Sequence, residues 1–384
     1  MMRLIILLLS VPFIMIGQTT IKCTTSEINK KYFEEHPEAK KEREWLNEKS
    51  RLAEFNKSAA SSLITIPIVF HVNDATNPQK VTLAQVQSAV DILNEDYNGL
   101  NPGFNSLRPE FQGIASNLEI NFCLASIDPA GNASNGVTYH YNNYNGREPN
   151  GSGAAVKGVS LWPCDKYLNV WIVNEVEDDG DLYRSGWSFY PSTSLANQGL
   201  DGIVYNHRYL GYDEGSSDVS GPSSWQAEMA RVLTHEVGHY LNLMHTFENY
   251  CTAPGDEVTD TPPVYYHGTN NCQQLGSLCA GVTIVNDENY MDYTPCPSMF
   301  TEGQKTRVLT ALNSSVGYRN NLWSSANLIA TGCQQATAIE EKNEMNRNLI
   351  KIVDVLGRST KAISNTTLFY IYDDGSVEKK IIVE

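Results

Sequence analysis

The chain has 384 residues, 41% hydrophobic and 10% aromatic, which is enough apolar surface for one large core or two modest ones and excludes global disorder. Its formal net charge of -16, with no Lys/Arg cluster interleaved with aromatics, has the wrong sign for gripping a phosphate backbone, so nucleic acid is excluded as a partner. Eight cysteines fit an oxidising compartment, where most are expected in disulfides.

In chain order, residues 1–18 place one Arg before an apolar run from Leu4 to Ile16, too short to span a membrane and the size of a signal-peptide core. Export is the expectation, with a cut near Gly17 or Gln18. Lys22 before Cys23 disfavours a lipid anchor there. Residues 19–60 are highly charged, with Trp45, Leu46, Leu52 and Phe55 at helical spacing, the pattern of an amphipathic, removable pro-segment.

The composition changes at Leu63, and residues 61–332 read as the main domain. LITIPIVFHVND is a buried strand; VTLAQVQSAVDILNEDYN is an amphipathic helix opened by Thr82 with Gln85 three residues on. LEINFCLAS, YLNVWIVNEV and DGIVYNH follow as strands. A helix from about Ser223 to Leu243 begins with a Ser223/Gln226 capping pair and carries Met229, Leu233, Val237, Tyr240 and Met244 on one core face. The order predicts a mixed α/β (α+β) layer structure. An irregular stretch with Cys251, Cys272, Cys279 and Cys296 needs cross-links to stay ordered; sequence alone allows three pairings of these four, and leaves Cys123, Cys164 and Cys333 unassigned. Residues 333–348 are a polar linker, and 349–384 read as strands with a tight Asp374-Gly375 turn.

The chemistry lies in VLTHEVGHYLNLMHTF. His235 and His239 stand one helical turn apart, so both imidazoles reach one ion, and Glu236 sits beside them to take a proton from a zinc-bound water. A hydrolytic zinc needs three protein ligands and an open position, and His245 supplies the third if the helix ends and the chain turns back. A chance HExxH in a chain this long is on the order of one in a hundred.

HEVGHYLNLMH resembles the metzincin signature HExxHxxGxxH, and NYMDY at Asn289 to Tyr293 resembles the Met-turn that accompanies it. The closer resemblance is to the pappalysin, or cytophagalysin, branch, which carries similar DTPP-like and NYMDY-like segments; it covers roughly Ile64 to Ile329. The resemblance implies a metzincin-like domain with a twisted mixed sheet, an active-site helix and a disulfide-linked irregular C-terminal part. It implies one catalytic zinc on His235, His239 and His245, an apolar floor at Met291, and a tyrosine at Tyr293 that donates to the oxyanion. It further implies the bonds Cys251–Cys279 and Cys272–Cys296. Asn242 stands where the clan has Gly, and Asn is the next most tolerant residue of the left-handed backbone required there. By the same resemblance, Gly255 to Thr261 could hold a structural calcium, with an ordinary turn as the alternative. Cys23 could place a thiolate over the metal as a latency switch, an unpaired cysteine without a role being the alternative. Family members preferring basic residues after the cut have an acid before the cysteine beyond the Met-turn, and here Pro295 precedes Cys296. VLGRSTK, LFYIY and VEKKIIV resemble part of the sorting domain of the type IX secretion system of Gram-negative bacteria, without its usual start; a plain appended hairpin is the alternative.

The expected protein is thus a secreted zinc endopeptidase acting on proteins or peptides, at the cell surface or outside a Gram-negative bacterium, with no transmembrane segment. A non-catalytic adhesion or binding protein on the same scaffold, and a zinc hydrolase of non-peptide substrates, are the rivals.

Overall fold

The computed structural model describes residues 22–56, 63–146, 151–181, 184–212, 230–253, 255–265, 279–282, 284–294, 296–334, 349–373 and 377–381. The expected signal segment, Ser223, Gln226, Met229, Cys272, Pro295, the Asp374-Gly375 turn and all but the first two residues of the linker lie outside them. The chain divides into two compact units after Gln334.

Strand β2 (Ile64–Asp74) is the hub of the first unit, with every residue except Thr65 buried. Such a run, apolar on both faces, belongs at the centre of a sheet covered on both sides. Its first half pairs in parallel with β4 (Ile120–Leu124) and its second half with β5 (Val137–Tyr141). On its other side β6 (Leu168–Val173) runs parallel to it, and β8 (Ile203–Asn206) runs parallel to β6. Strand β7 (Arg184–Ser188) lies antiparallel on β8, and the short β1 (Lys22–Cys23) runs parallel along β7. The sheet is therefore mixed, in the order β1-β7-β8-β6-β2-β4.

Helix α3 (Leu83–Tyr97) buries Val86, Val90, Leu93 and Tyr97 in one core with β2 and with Leu233, Val237 and Tyr240 of the helix Val232–Tyr240. Thr82 accepts the Gln85 backbone N–H at 3.1 Å, while the Gln85 side chain leaves the expected capping box and donates to the Leu210 carbonyl at 2.9 Å. A second core joins Ile28, Tyr32 and Ala39 of the N-terminal segment to Trp171, Trp187 and Phe189.

That segment forms α1 (Thr25–Glu35) and α2 (Pro37–Asn56). Its contact face differs from the expected apolar stripe. Leu46 is buried, but Trp45 is 47% and Leu52 45% exposed, and the buried positions of α2 are Ala39, Arg43, Leu46 and Ser50. The reason is polar: Arg43 donates to Asn242, and Asn47 accepts from buried Arg307 of the helix Glu302–Leu312 at 2.5 Å. Polar partners, not hydrophobicity, set the rotation of α2.

Cys123 is bonded to Cys333, so the expected start of the linker is covalently tied to β4. Cys251 is bonded to Cys279; Cys296 is also disulfide-bonded, its expected partner Cys272 lying outside the described residues. Cys164 is a buried free thiol. The second unit is an antiparallel sheet of β10 (Leu349–Val353), β11 (Thr367–Tyr372) and β12 (Val377–Ile381) in that order. Among the described residues no helix is long and apolar enough to cross a membrane.

Because the Cys123–Cys333 bond closes a loop of 210 residues, it should stabilise the first unit by constraining the unfolded chain. Replacing both cysteines with Ser should lower the urea midpoint by an amount equivalent to about 2–4 kcal/mol. An unchanged midpoint in the oxidised protein would show that the cross-link contributes nothing.

Candidate metal centre

The helix Val232–Tyr240 carries His235, Glu236 and His239, and its end is built to bring His245 back. The Leu241 N–H bonds back to the Val237 carbonyl at 2.9 Å and the Leu243 N–H to that of Gly238 at 2.9 Å, while Asn242 takes a left-handed φ of 83°. This αL ending reverses the chain within two residues.

The Nε2 atom of His239 then lies 3.0 Å from that of His235 and 3.1 Å from that of His245. The opposite ring nitrogens are committed elsewhere. Nδ1 of His235 donates to the Tyr290 carbonyl at 2.7 Å, and Nδ1 of His239 to the Leu243 carbonyl at 2.8 Å. Those bonds fix the tautomers, so both Nε2 atoms present bare lone pairs. Burial, first of all, keeps both rings neutral, pushing His235 down to about 3. Nδ1 of His245 faces Ser26 Oγ at 2.9 Å and Glu248 Oε2 at 3.4 Å. The Cys23 sulfur joins the three imidazoles in one buried group whose ligand atoms lie within 4.8 Å of one another. Three lone pairs this close repel unless a cation sits among them. Three imidazoles and one sulfur are a donor set that suits zinc.

Glu236 is fully buried beside this group. One carboxylate oxygen faces Cys23 Sγ at 3.4 Å and Thr25 Oγ1 at 3.5 Å, and Oε1 has no hydrogen-bond partner among the described residues. Burial pushes its carboxyl up to about 8, against the pull of the Cys23 and Thr25 contacts. Gly186 of β7 makes room for it, since a Cβ there would stand 3.2 Å from Oε1 and 2.8 Å from the Val204 carbonyl. Tyr293 donates its hydroxyl to the Cys23 carbonyl at 2.7 Å and lies 3.1 Å from Nε2 of His245. Met291 is wholly buried under the helix; a Cβ on Gly238 would come within 2.5 Å of its sulfur. In the Gly255 to Thr261 turn, Asp256 accepts from Thr261 Oγ1 at 2.6 Å, and its Oδ2 has no partner among the described residues.

Several contributors were not legible in the sequence. Asp96, at the end of α3, accepts from Thr234 Oγ1 at 2.6 Å and from the Tyr290 hydroxyl at 2.8 Å, and pairs with Arg231. It bolts α3, the histidine-bearing helix and the Met291 turn together; its only signal is an acid on the inward side of an amphipathic helix. Asn289 and Gln304 exchange a pair of side-chain bonds of 2.9 and 3.0 Å, and Asn289 accepts the Met291 N–H at 2.9 Å. The N-terminal segment also saturates the free edge of β7. Thr25 Oγ1 accepts the Ser188 N–H, Asn29 donates to the Ser188 carbonyl and Asn29 Oδ1 accepts the Tyr190 N–H, each at 2.9 Å.

The peptidase family M43 model, described as pregnancy-associated plasma protein-A, matches residues 154–313. Extracellular metalloprotease 1 of Coccidioides posadasii is 40% identical over 95 residues, 24% of this chain and 34% of that protein. An extracellular metalloprotease of Sordaria macrospora is 27% identical over 274 residues, 68% of this chain and 79% of that protein. The chain spans between 34% and 49% of the length of the first two curated relatives it matches. Among solved structures, mirolysin in complex with "compound 9" superposes with a TM-score of 0.59 at 28% identity, over 71% of this chain and 99% of that one. A promirolysin mutant of Tannerella forsythia superposes at 0.62 with 26% identity, over 79% of this chain and 97% of that one. The fold is the mixed α/β metzincin fold, as expected. The matches together support a metalloprotease, for which a catalytic metal is implied.

Removing the Asp96 carboxylate leaves Arg231, Thr234 and Tyr290 without their common acceptor. Asp96→Ala should lower stability by about 3–5 kcal/mol, read as the urea midpoint, and the variant should lose zinc at lower chelator concentration than wild type. Wild-type values for both would mean the bolt is not needed.

Proposed function

We propose that the chain is a secreted zinc endopeptidase, made as a latent precursor, that hydrolyses peptide bonds in proteins. The observation that carries this reading is the convergence of three buried imidazole lone pairs with a buried carboxyl beside them, one oxygen of which is unpaired among the described residues. An adhesion protein gains nothing from burying Glu236 with Oε1 unpartnered, an arrangement that costs stability.

His235, His239 and His245 would hold the metal, and zinc when bound is a Lewis acid that polarises the scissile carbonyl and acidifies water. Glu236 accepts the proton of the attacking water on its carboxylate and delivers it to the leaving amine nitrogen, so no acyl-enzyme forms. Its burial matches this double role, because a carboxyl with a raised pKa returns a proton more readily. The Tyr293 hydroxyl, once released from the Cys23 carbonyl, donates to the oxyanion of the tetrahedral intermediate. The β7 edge groups now held by Thr25 and Asn29 become free to pair with an extended peptide.

The N-terminal segment is read as the inhibitor. It places the Cys23 sulfur in the metal group and closes the β7 edge with side chains, so both the metal position and the edge a substrate would use are taken. Export to the extracellular space or cell surface, through the 1–18 segment and a type IX address in the C-terminal unit, is the proposed route, in keeping with the extracellular naming of the fungal relatives. A structural calcium at Gly255 to Thr261 is a further proposal, supported by a buried Asp256 oxygen that has no partner among the described residues.

Glu236→Ala should retain one zinc per chain by metal analysis while casein cleavage by the activated protein falls by about 10²–10⁴-fold. Cleavage at the wild-type rate would refute the assignment. Cys23→Ala in the full chain should shorten the lag before activity appears and lower the zinc affinity of the precursor, and an unchanged lag would remove the thiol from the latency device.

A further inference from the structure

A helix leaves its last carbonyls without partners inside itself, and the end of the histidine-bearing helix fills them from two sources. The Val237, Gly238 and His239 carbonyls accept backbone N–H groups of the reversal that follows. The Tyr240 and Asn242 carbonyls are taken by side chains instead. Nε of Arg319 donates to the Tyr240 carbonyl at 3.2 Å, and Nε of Arg307 to the Asn242 carbonyl at 2.7 Å. Both arginines are wholly buried, Arg307 in the helix Glu302–Leu312 and Arg319 at the start of the short helix Arg319–Leu322.

We propose that Arg307 and Arg319 are positioning residues for the metal centre: by holding these two carbonyls they fix the reversal that orients His239 and carries His245 to it. This rests on the metal-dependent endopeptidase reading above.

The reversal lies between the second and third histidines, and its other bonds show what the arginines steady. Nδ1 of His239 donates to the Leu243 carbonyl, one residue beyond the carbonyl that Arg307 holds. The Arg319 guanidinium lies 3.6 Å from the centre of the ring of Tyr240, the residue after His239. A shift of this turn therefore moves the bond that sets one imidazole's tautomer together with the position of the next imidazole. Positive charge at a helix C-terminus is also favoured by the helix dipole.

A role in stability alone does not account for the residue types. Arg319 is gripped by both Asp201 oxygens, at 2.5 and 2.9 Å, and by the Gly317 carbonyl at 2.9 Å, so its fork is fixed from behind while Nε faces Tyr240. Arg307 is less well served. Its Nη2 donates to Asn47 of the N-terminal segment at 2.5 Å, and its Nη1 has no partner among the described residues. Burial is the first influence on its charge, drawing its pKa down, and Asp256 and Glu257 oppose it. A buried guanidinium with an unfilled donor costs stability that an apolar side chain of similar length would not. What the guanidinium supplies is a charged donor aimed at one carbonyl. Arg43 also reaches the Asn242 carbonyl, at 3.4 Å, but it belongs to the N-terminal segment, whereas Arg307 and Arg319 belong to the body and hold the turn after that segment departs.

The test measures zinc affinity of the full-length chain by chelator competition, and the visible absorption of its cobalt-loaded form, which reports ligand geometry. The variants are Arg307→Met and the double substitution Asp201→Asn with Arg319→Met, which leaves no unpaired buried charge. Each should bind zinc about 10–100-fold more weakly than wild type and shift the cobalt spectrum. Arg307→Lys, which keeps the charge and a donor, should recover most of that loss. Asn47→Ala removes the segment's hold on Arg307 but not the Asn242 bond, and should leave affinity and spectrum at wild-type values. Wild-type affinity and spectrum in both arginine variants, or an Asn47→Ala chain as weak as Arg307→Met, overturns the positioning role while the metal centre stands. If one variant does not fold the other decides, and a chain that cannot fold without either arginine assigns them to stability and overturns the role. A wild-type chain that takes up no zinc overturns the metal reading and the positioning role together.

Discussion

Three imidazole lone pairs, two of them within 3.1 Å of the third, are the constraint on which the rest of the first unit depends. Left alone they repel, and only rigid packing or a cation keeps them there. The protein supplies rigidity from three directions. The Tyr290 and Leu243 carbonyls hold the back of His235 and His239, the Asp96 bolt fixes the helix against α3, and the Asn289–Gln304 pair fixes the Met291 turn beneath. Such outer partners set ligand orientation and metal affinity as much as the ligands do. Gly238 and Gly186 belong to the same scheme, because each leaves a space that a Cβ would take from Met291 or from Glu236.

The closure of the cleft follows from how hydrogen bonds at a sheet edge are satisfied. An edge strand with open N–H and C=O groups accepts any extended peptide. Here β1 offers β7 only two residues in parallel register, and the chain then coils into α1. Beyond that point the edge is capped by the side chains of Thr25 and Asn29, one helical turn apart, and not by a backbone. A helix presents its peptide groups to itself, so from Thr25 onward the segment meets the edge through side chains.

How much of this was legible in the sequence depended on whether a signal was local. The HExxH spacing, the run of β2, the Thr82 cap and the strands β4, β6 and β8 are local patterns, and they are in place. Strand β7 is not legible, because Arg184 to Ser188 is five residues long, carries a glycine and has a single large apolar side chain, Trp187. Strand β5, with Thr138 and His140 amid its aromatics, lacked the apolar run as well. The face of α2 is not legible because its partners are Asn242 and Arg307, 199 and 260 residues away, and polar contacts at that separation leave no periodicity. The Cys123–Cys333 bond is beyond inference for the same reason, since cysteine spacing restricts pairings without choosing one.

Asn242 belongs both to the site and to its cover. As the residue standing where the metzincin pattern has Gly, it was expected to be a tolerated substitute in a left-handed position, and its φ of 83° is that position. A non-glycine residue there carries a small conformational penalty. What it gains is visible in its partners: the Asn242 side-chain oxygen and its carbonyl both receive Arg43, and the carbonyl also receives Arg307. Glycine would keep the turn and the carbonyl but lose the side-chain acceptor. The turn that delivers His245 to the metal group therefore also holds the N-terminal segment over it, and one residue couples the geometry of the site to the closure of its cleft.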